Sequence, residues 1–162
     1  MWAMLSSTSV SVFLLAMSLI ARNPSVSAAP ELRILKATPP NGFVIELQNP
    51  SDAAVRLWRD SNTWGAARWR AMRIRDGAAT LFYQVPTHGF TRNVPGFDEL
   101  AAKSRIERTF DLTDAIWRST HPGDRSIRSG DLLIVFYDVP LTDEATRLGV
   151  WYGAIAASSS VP

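Results

Sequence analysis

The sequence predicts an all-β fold made of two stacked antiparallel sheets with about eight strands. Three observations predict it. Apolar and polar residues alternate with period two through most of the chain, which is the pattern of strands with one buried face. Nine glycines and ten prolines cut the chain into short segments, as turns between short strands require. No long stretch holds an apolar stripe at helical spacing, so the apolar faces must be buried sheet against sheet.

The strands follow in order. Leu32 to Leu35 opens the set. In the next segment Phe43, Ile45 and Leu47 point one way and Val44, Glu46 and Gln48 the other. Pro39-Pro40-Asn41-Gly42 before it and Asn49-Pro50-Ser51-Asp52 after it are turn sequences. Val55 and Leu57 oppose Arg56 and Trp58. Asp76-Gly77 suits a two-residue hairpin turn joining Arg68–Arg75 to Ala78–Val85. In the second arm Leu81, Tyr83 and Val85 oppose Thr80, Phe82 and Gln84. In the first, the phase slips: Arg68 and Arg70 share a face with Met72 and Ile74, whereas Trp69 shares one with Arg73 and Arg75, so a bulge or a strand start is expected there. Asp98 to Arg108 is rich in helix formers but holds no helical face, and reads as a loop entering a strand at Arg105. Ile106, Phe110 and Leu112 give that strand its apolar side. Thr113 to Gly130 is a long connection, a length at which loops often carry function. Leu132 to Val139 and Val150 to Ala156 close the set, with Thr142 able to cap a short helix that Gly149 ends.

The N-terminus has a different character. Val10 to Ala21 is a mostly apolar run, too short to span a bilayer and suited to the core of a signal peptide, with small residues at Ala28 and Ala29 for cleavage. Residues 1–28 are therefore expected to be a signal peptide and residues 29–162 one folded domain, periplasmic or secreted. The amino-terminal stretch carries no Lys or Arg, which leaves an uncleaved anchor as the other reading. Without the first 28 residues the chain loses only Arg22, so the net charge falls from +2 to +1. That near-neutral balance argues against a nucleic-acid partner. No cysteine is present, which excludes a disulfide framework, a thiolate metal site and a cysteine nucleophile, and suits a bacterial envelope protein. No later segment has the length and apolarity of a membrane span, so an integral membrane protein is not expected after cleavage.

The run Asn49-Pro50-Ser51-Asp52, the apolar pair Val55 and Leu57, and Phe110-Asp111-Leu112 ahead of a late strand resemble small immunoglobulin-like sandwiches of exported bacterial proteins. The inhibitor-type domain related to the intracellular proteinase inhibitor of Bacillus is distantly similar, over Leu32 to Ala156. The sequence departs from that pattern at Leu100-Ala101-Ala102-Lys103, where such domains often carry a Pro-Gly turn. The resemblance implies a single immunoglobulin-like antiparallel β-sandwich; it carries across no catalytic or inhibitory residue.

Chemistry-bearing motifs are sparse. The two histidines, His88 and His121, stand beside turn residues, and no Gly-x-Ser-x-Gly elbow frames a nucleophile. His121 and Asp124 share a loop without the converging ligands zinc needs, and Asp111, Asp114 and Asp124 lack the spacing of a calcium loop. No enzyme, cofactor or metal is expected. Between Arg56 and Arg75, however, lie six arginines and a single acid, Asp60, interleaved with Trp58, Trp64 and Trp69. Guanidinium forks recognise carboxylate, sulfate and phosphate, and indoles offer stacking surfaces. Arg56, Arg59, Trp64, Arg68 and Arg70 are therefore the candidate binding residues, for an anionic polysaccharide or lipopolysaccharide; the other reading is an ordinary solvated strand face above a tryptophan core. A second feature is Leu132 to Tyr137, apolar on both faces. Leu133, Val135 and Tyr137 are expected on the outer side, covered by a loop, by the 142–148 turn or by another protein. The function expected is an exported, non-catalytic binding or structural module of the cell envelope, with another envelope protein or an anionic polymer as partner. The alternative is an inhibitor of a secreted protease, presenting Val85 to Pro95 or Thr113 to Gly130.

Overall fold

The computed structural model describes residues 29–62, 64–86 and 94–162. The described residues form ten strands and one short helix: β1 Glu31–Thr38, β2 Gly42–Gln48, β3 Val55–Trp58, β4 Trp69–Arg75, β5 Ala78–Gln84, β6 Phe97–Leu100, β7 Arg105–Asp111, β8 Trp117–Ser119, β9 Leu132–Val139, α1 Asp143–Leu148 and β10 Gly153–Ser160. All strand pairings within the sheets are antiparallel. One sheet has the order β1-β2-β7, the second β10-β9-β4-β5-β8, and β3 and β6 form a separate two-stranded ribbon. The three-stranded and five-stranded sheets form the two layers of an antiparallel β-sandwich. The fold is all-β, as the alternation predicts.

The core lies between the sheets. Phe43, Ile45 and Leu47 of β2 face inward and are almost fully buried. They meet Trp69 and Ala71 of β4, Phe82 of β5 and Leu133, Val135 and Tyr137 of β9 in one cluster. Aromatic rings bridge the layers: Trp69 sits 5.1 Å from Phe110 and 4.4 Å from Tyr137, Tyr137 stacks on Trp151 at 5.9 Å, and Trp117 is edge-on to Phe43 and Phe110. Gly153 permits the Trp151 ring to lie against Tyr137, because a Cβ at position 153 would lie 3.1 Å from that indole, and its φ is +137°.

Several local expectations meet the structure closely. The hairpin turn at Asp76-Gly77 has φ of 50° and 79°, the pair of positive angles that twists two adjoining strands correctly. Thr142 accepts a hydrogen bond from the Ala145 amide at the start of α1, and Gly149 closes its end. Arg105 does begin a strand, after a turn at residues 101–104.

Others are corrected. Of the two readings for the Arg68–Arg75 segment, the strand start is met, at Trp69, and the bulge is not. The phase of β4 does not slip: its register with β5 and β9 is continuous, and Arg73 sits on the inward face beside Trp69 and Ala71, only 5% exposed. The apolar run of β9 faces the other way from the expectation. Leu133, Val135 and Tyr137 are core, and Leu132, Ile134 and Phe136 point outward. Two short strands, β6 and β8, stand in segments that read as loops, which raises the number above eight.

Candidate functional site

Each of the six arginines between Arg56 and Arg75 is tied to neighbouring groups. Arg56, on β3, donates to Glu99 at 3.0 Å and to the Leu148 carbonyl at 2.9 Å, with its guanidinium 4.6 Å above the Phe97 ring. Arg59 donates to Asp98 at 3.0 Å. Arg68 donates to the Trp64 carbonyl at 2.7 Å. Arg70, on the outer face of β4, stands 3.7 Å from Asp138. Trp64 is half-buried and packs at 6.0 Å against Trp58. Arg59, Trp64 and Arg68 thus gather around one loop, residues 59–68, while Arg56 belongs to the β3–β6 ribbon and Arg70 to the five-stranded sheet. Asn62 ties that loop to the start of β6: its amide donates to the Gly96 carbonyl, and its side-chain oxygen accepts from the amides of Trp64 and Gly65.

Within the same loop Asp60 pairs with Arg108 of β7. Burial raises its carboxyl above the usual carboxylate range, against the pull of the Arg108 charge. Trp69 Nε1 is buried without a direct acceptor and lies close enough to favour the charged form of the same carboxylate. Burial likewise pushes the Tyr137 hydroxyl upward, and the Asp60 charge adds to it.

Arg73 and Arg75 do different work. Arg73 donates to the Ser126 carbonyl at 2.6 Å and to the Thr80 hydroxyl at 2.9 Å, and pairs with Asp124 at 3.1 Å. Arg75 grips both oxygens of Asp131 at 2.7 Å and one of Asp124 at 2.8 Å. The Ser126 hydroxyl and amide, then the Arg73 charge, hold Asp124 well below the ordinary carboxylate value. Asp131 is lowered first by Arg75 and then by the Arg128 amide. Together they pin the Thr113–Gly130 connection, which also contributes β8 and the fully buried Ile127. Just before it, at the end of β7, Asp111 is lowered by the hydroxyl and amide of Thr113.

His121 is exposed, with Nδ1 3.3 Å from the Thr120 hydroxyl and 3.5 Å from that of Thr80. His88 lies outside the described residues, as does most of the Val85–Pro95 connection. Among the described residues no group of His, Asp and Glu could hold a metal ion, and no helix is long and apolar enough to cross a membrane.

The largest feature without an internal role is the outer face of the five-stranded sheet. Strand registry sets its side chains in rows. One row reads Arg118, Tyr83, Arg70, Phe136, Ala156; the next Leu81, Met72, Ile134, Ser158; the third Ala79, Ile74, Leu132, Ser160. Tyr83 is 38% exposed and the other large apolar members are half-buried. None of them belongs to the core cluster or packs against it. The two-faced apolar run of β9 signalled such a surface in the sequence, although for the wrong set of side chains. No protein-family model, curated protein or solved structure matches the chain.

Proposed function

We propose that the chain is an exported, non-catalytic binding module of the cell envelope whose contact surface is the outer face of the five-stranded sheet. The observation that carries this reading is the set Leu81, Met72, Ile134, Ile74, Leu132 and Phe136, turned away from the core of a chain that already has a complete one. A contiguous apolar surface on a folded domain is unfavourable in water and is the usual mark of a protein contact. The amino-terminal apolar run followed by Ala28-Ala29 supports export.

The test is a photo-crosslinking side chain at Ile134, with a control at Thr109 on the opposite sheet, in cells producing the full chain. The expected result is a discrete adduct from Ile134 alone, in an extracytoplasmic fraction, on a chain whose first residue is Ala29 or Pro30. No adduct from Ile134, or recovery only from the cytoplasm, removes the reading.

Binding of an anionic polymer through Arg56, Arg59, Trp64, Arg68 and Arg70 has less beneath it, because Arg56, Arg59 and Arg70 each face a carboxylate. A polyanion would have to displace those partners and would gain little from already neutralised charge. Retention on a heparin column is therefore expected to be unchanged in the Arg68→Ala, Arg70→Ala double variant. Earlier elution of that variant would restore the polyanion reading.

A further inference from the structure

We infer that two copies of the chain associate through the outward faces of their five-stranded sheets, a proposal that rests on that face being the contact surface. The occupant is argued from charge, shape and area.

The charged groups on the face lie toward one end of it: Arg70 and Asp138 oppose each other in sign, and Arg118 of β8 stands beside Tyr83 in the same row. The opposite end, the Ala79, Ile74, Leu132 and Ser160 row, carries no charge, so a second copy set end for end brings its cations away from those of the first. A twofold axis running across the strands at the Met72–Ile134 row makes the surface complementary to itself. Met72, Ile134 and Leu81 then face their own equivalents. The Arg70 row falls on the Ile74 row, so that Tyr83 meets Ala79 of the second copy, a large exposed ring over a small exposed residue, and Phe136 meets Leu132. Arg70 does not face Arg70. The small residues Ala154, Ala156, Ser158 and Ser160 on β10 are all exposed and leave the flank of the face low, without a bulky side chain to hold two sheets apart.

Five strands about 4.8 Å apart and some 20 Å long give a footprint of roughly 400–500 Å². Two such faces bury about 1,000 Å², the size at which specific interfaces begin. The expected assembly is thus a dimer that dissociates on dilution, not an obligate one.

Sedimentation equilibrium of the purified protein over about a hundredfold range of concentration tests it. The wild type is expected to shift from monomer to dimer. Ile134→Lys sets two ammonium groups face to face on the axis and should weaken association at least tenfold. Should that variant lose its β-sheet circular dichroism, Ser158→Arg decides instead, since Ser158 is exposed and packs against nothing in the core. A wild type that remains monomeric throughout overturns the proposal, and so does a dimer whose strength is unchanged in the folded variants. Either failure, together with an Ile134 adduct whose mass is not that of two chains, leaves the binding surface standing and assigns it to another partner.

Discussion

Trp69→Ala is expected to lower the free energy of unfolding by about 3–5 kcal/mol, measured by urea denaturation followed by circular dichroism. Trp69 is 1% exposed and joins the two layers. Its ring touches Phe110 from the three-stranded sheet and Tyr137 from the neighbouring strand, and Tyr137 in turn stacks on Trp151. Truncation opens a cavity that rigid aromatic neighbours cannot collapse to fill. Polar loss adds little, because Trp69 Nε1 has no direct acceptor and only a weak pull on the Asp60 carboxylate. Trp69→Phe should therefore recover more than half of the loss. Trp64, half-buried and in a loop, should cost under about 2 kcal/mol as alanine. A Trp69→Ala variant within about 1 kcal/mol of the wild type would show that the two layers are not joined through this ring.

That prediction concerns the part of the fold most open to reading from the sequence. Alternation identified β2, β5 and β7 as strands, and turn residues placed most of their ends, because both signals depend on neighbours a few positions apart. In β5 the inward side is Thr80 and Phe82, opposite to the expected Leu81 and Tyr83, because Phe82 makes both of its faces apolar. What escaped depends on partners far along the chain. Arg73 looked like a break in phase, since a cation at an inward position of a sandwich strand is costly. It is accommodated because Thr80, the Ser126 carbonyl and Asp124 converge on it, and two of these stand about fifty residues away. β6 shows little alternation of its own and exists by pairing with β3, forty residues earlier. In β9 both faces are apolar, so periodicity identifies a strand yet gives no sign of which face turns in. Registry with Trp69 decides it, by setting Tyr137 opposite a buried indole. The surface we assign to binding was thus visible as an excess of apolar residues, and its address was not.

The arginine-rich segment shows the same division. As sequence it is a run of cations among tryptophans; folded, its charges hold loops to strands. Arg56 and Arg59 fasten the β3–β6 ribbon, Arg68 closes the loop beneath Trp64, and Arg73 and Arg75 secure the long connection. Density of charge along a chain does not measure density of free charge on a surface, because the neutralising acids, Asp98, Glu99, Asp124, Asp131 and Asp138, arrive from distant segments.

Asp131→Ala is expected to cost about 3 kcal/mol at neutral pH, a value typical of breaking one side of a buried ion pair. Asp131 is 1% exposed, receives the Arg75 fork on both oxygens and accepts the Arg128 amide at 2.8 Å. Its loss leaves Arg75 mostly out of water with only Asp124 and the Ser126 carbonyl, and frees the end of the pinned connection. Arg75→Met added to Asp131→Ala should restore much of the stability, because the stranded cation is removed as well. Acid separates this role from simple packing. The carboxyl of Asp131 has a folded pKa below its unfolded value, so its contribution is full above about pH 4 and fades as pH falls through the folded value. Asp124 follows the same sign. Asp60 runs the other way: its raised pKa makes the ionised form a burden at neutral pH, relieved on acidification, and this offsets part of the acid loss. The gap in stability between wild type and Asp131→Ala should therefore narrow from about pH 5 to pH 2, as protonation removes from the wild type what the substitution removes from the variant. A gap that stays constant across that range would mean that Asp131 acts by filling space, and that the charge network does not hold the connection.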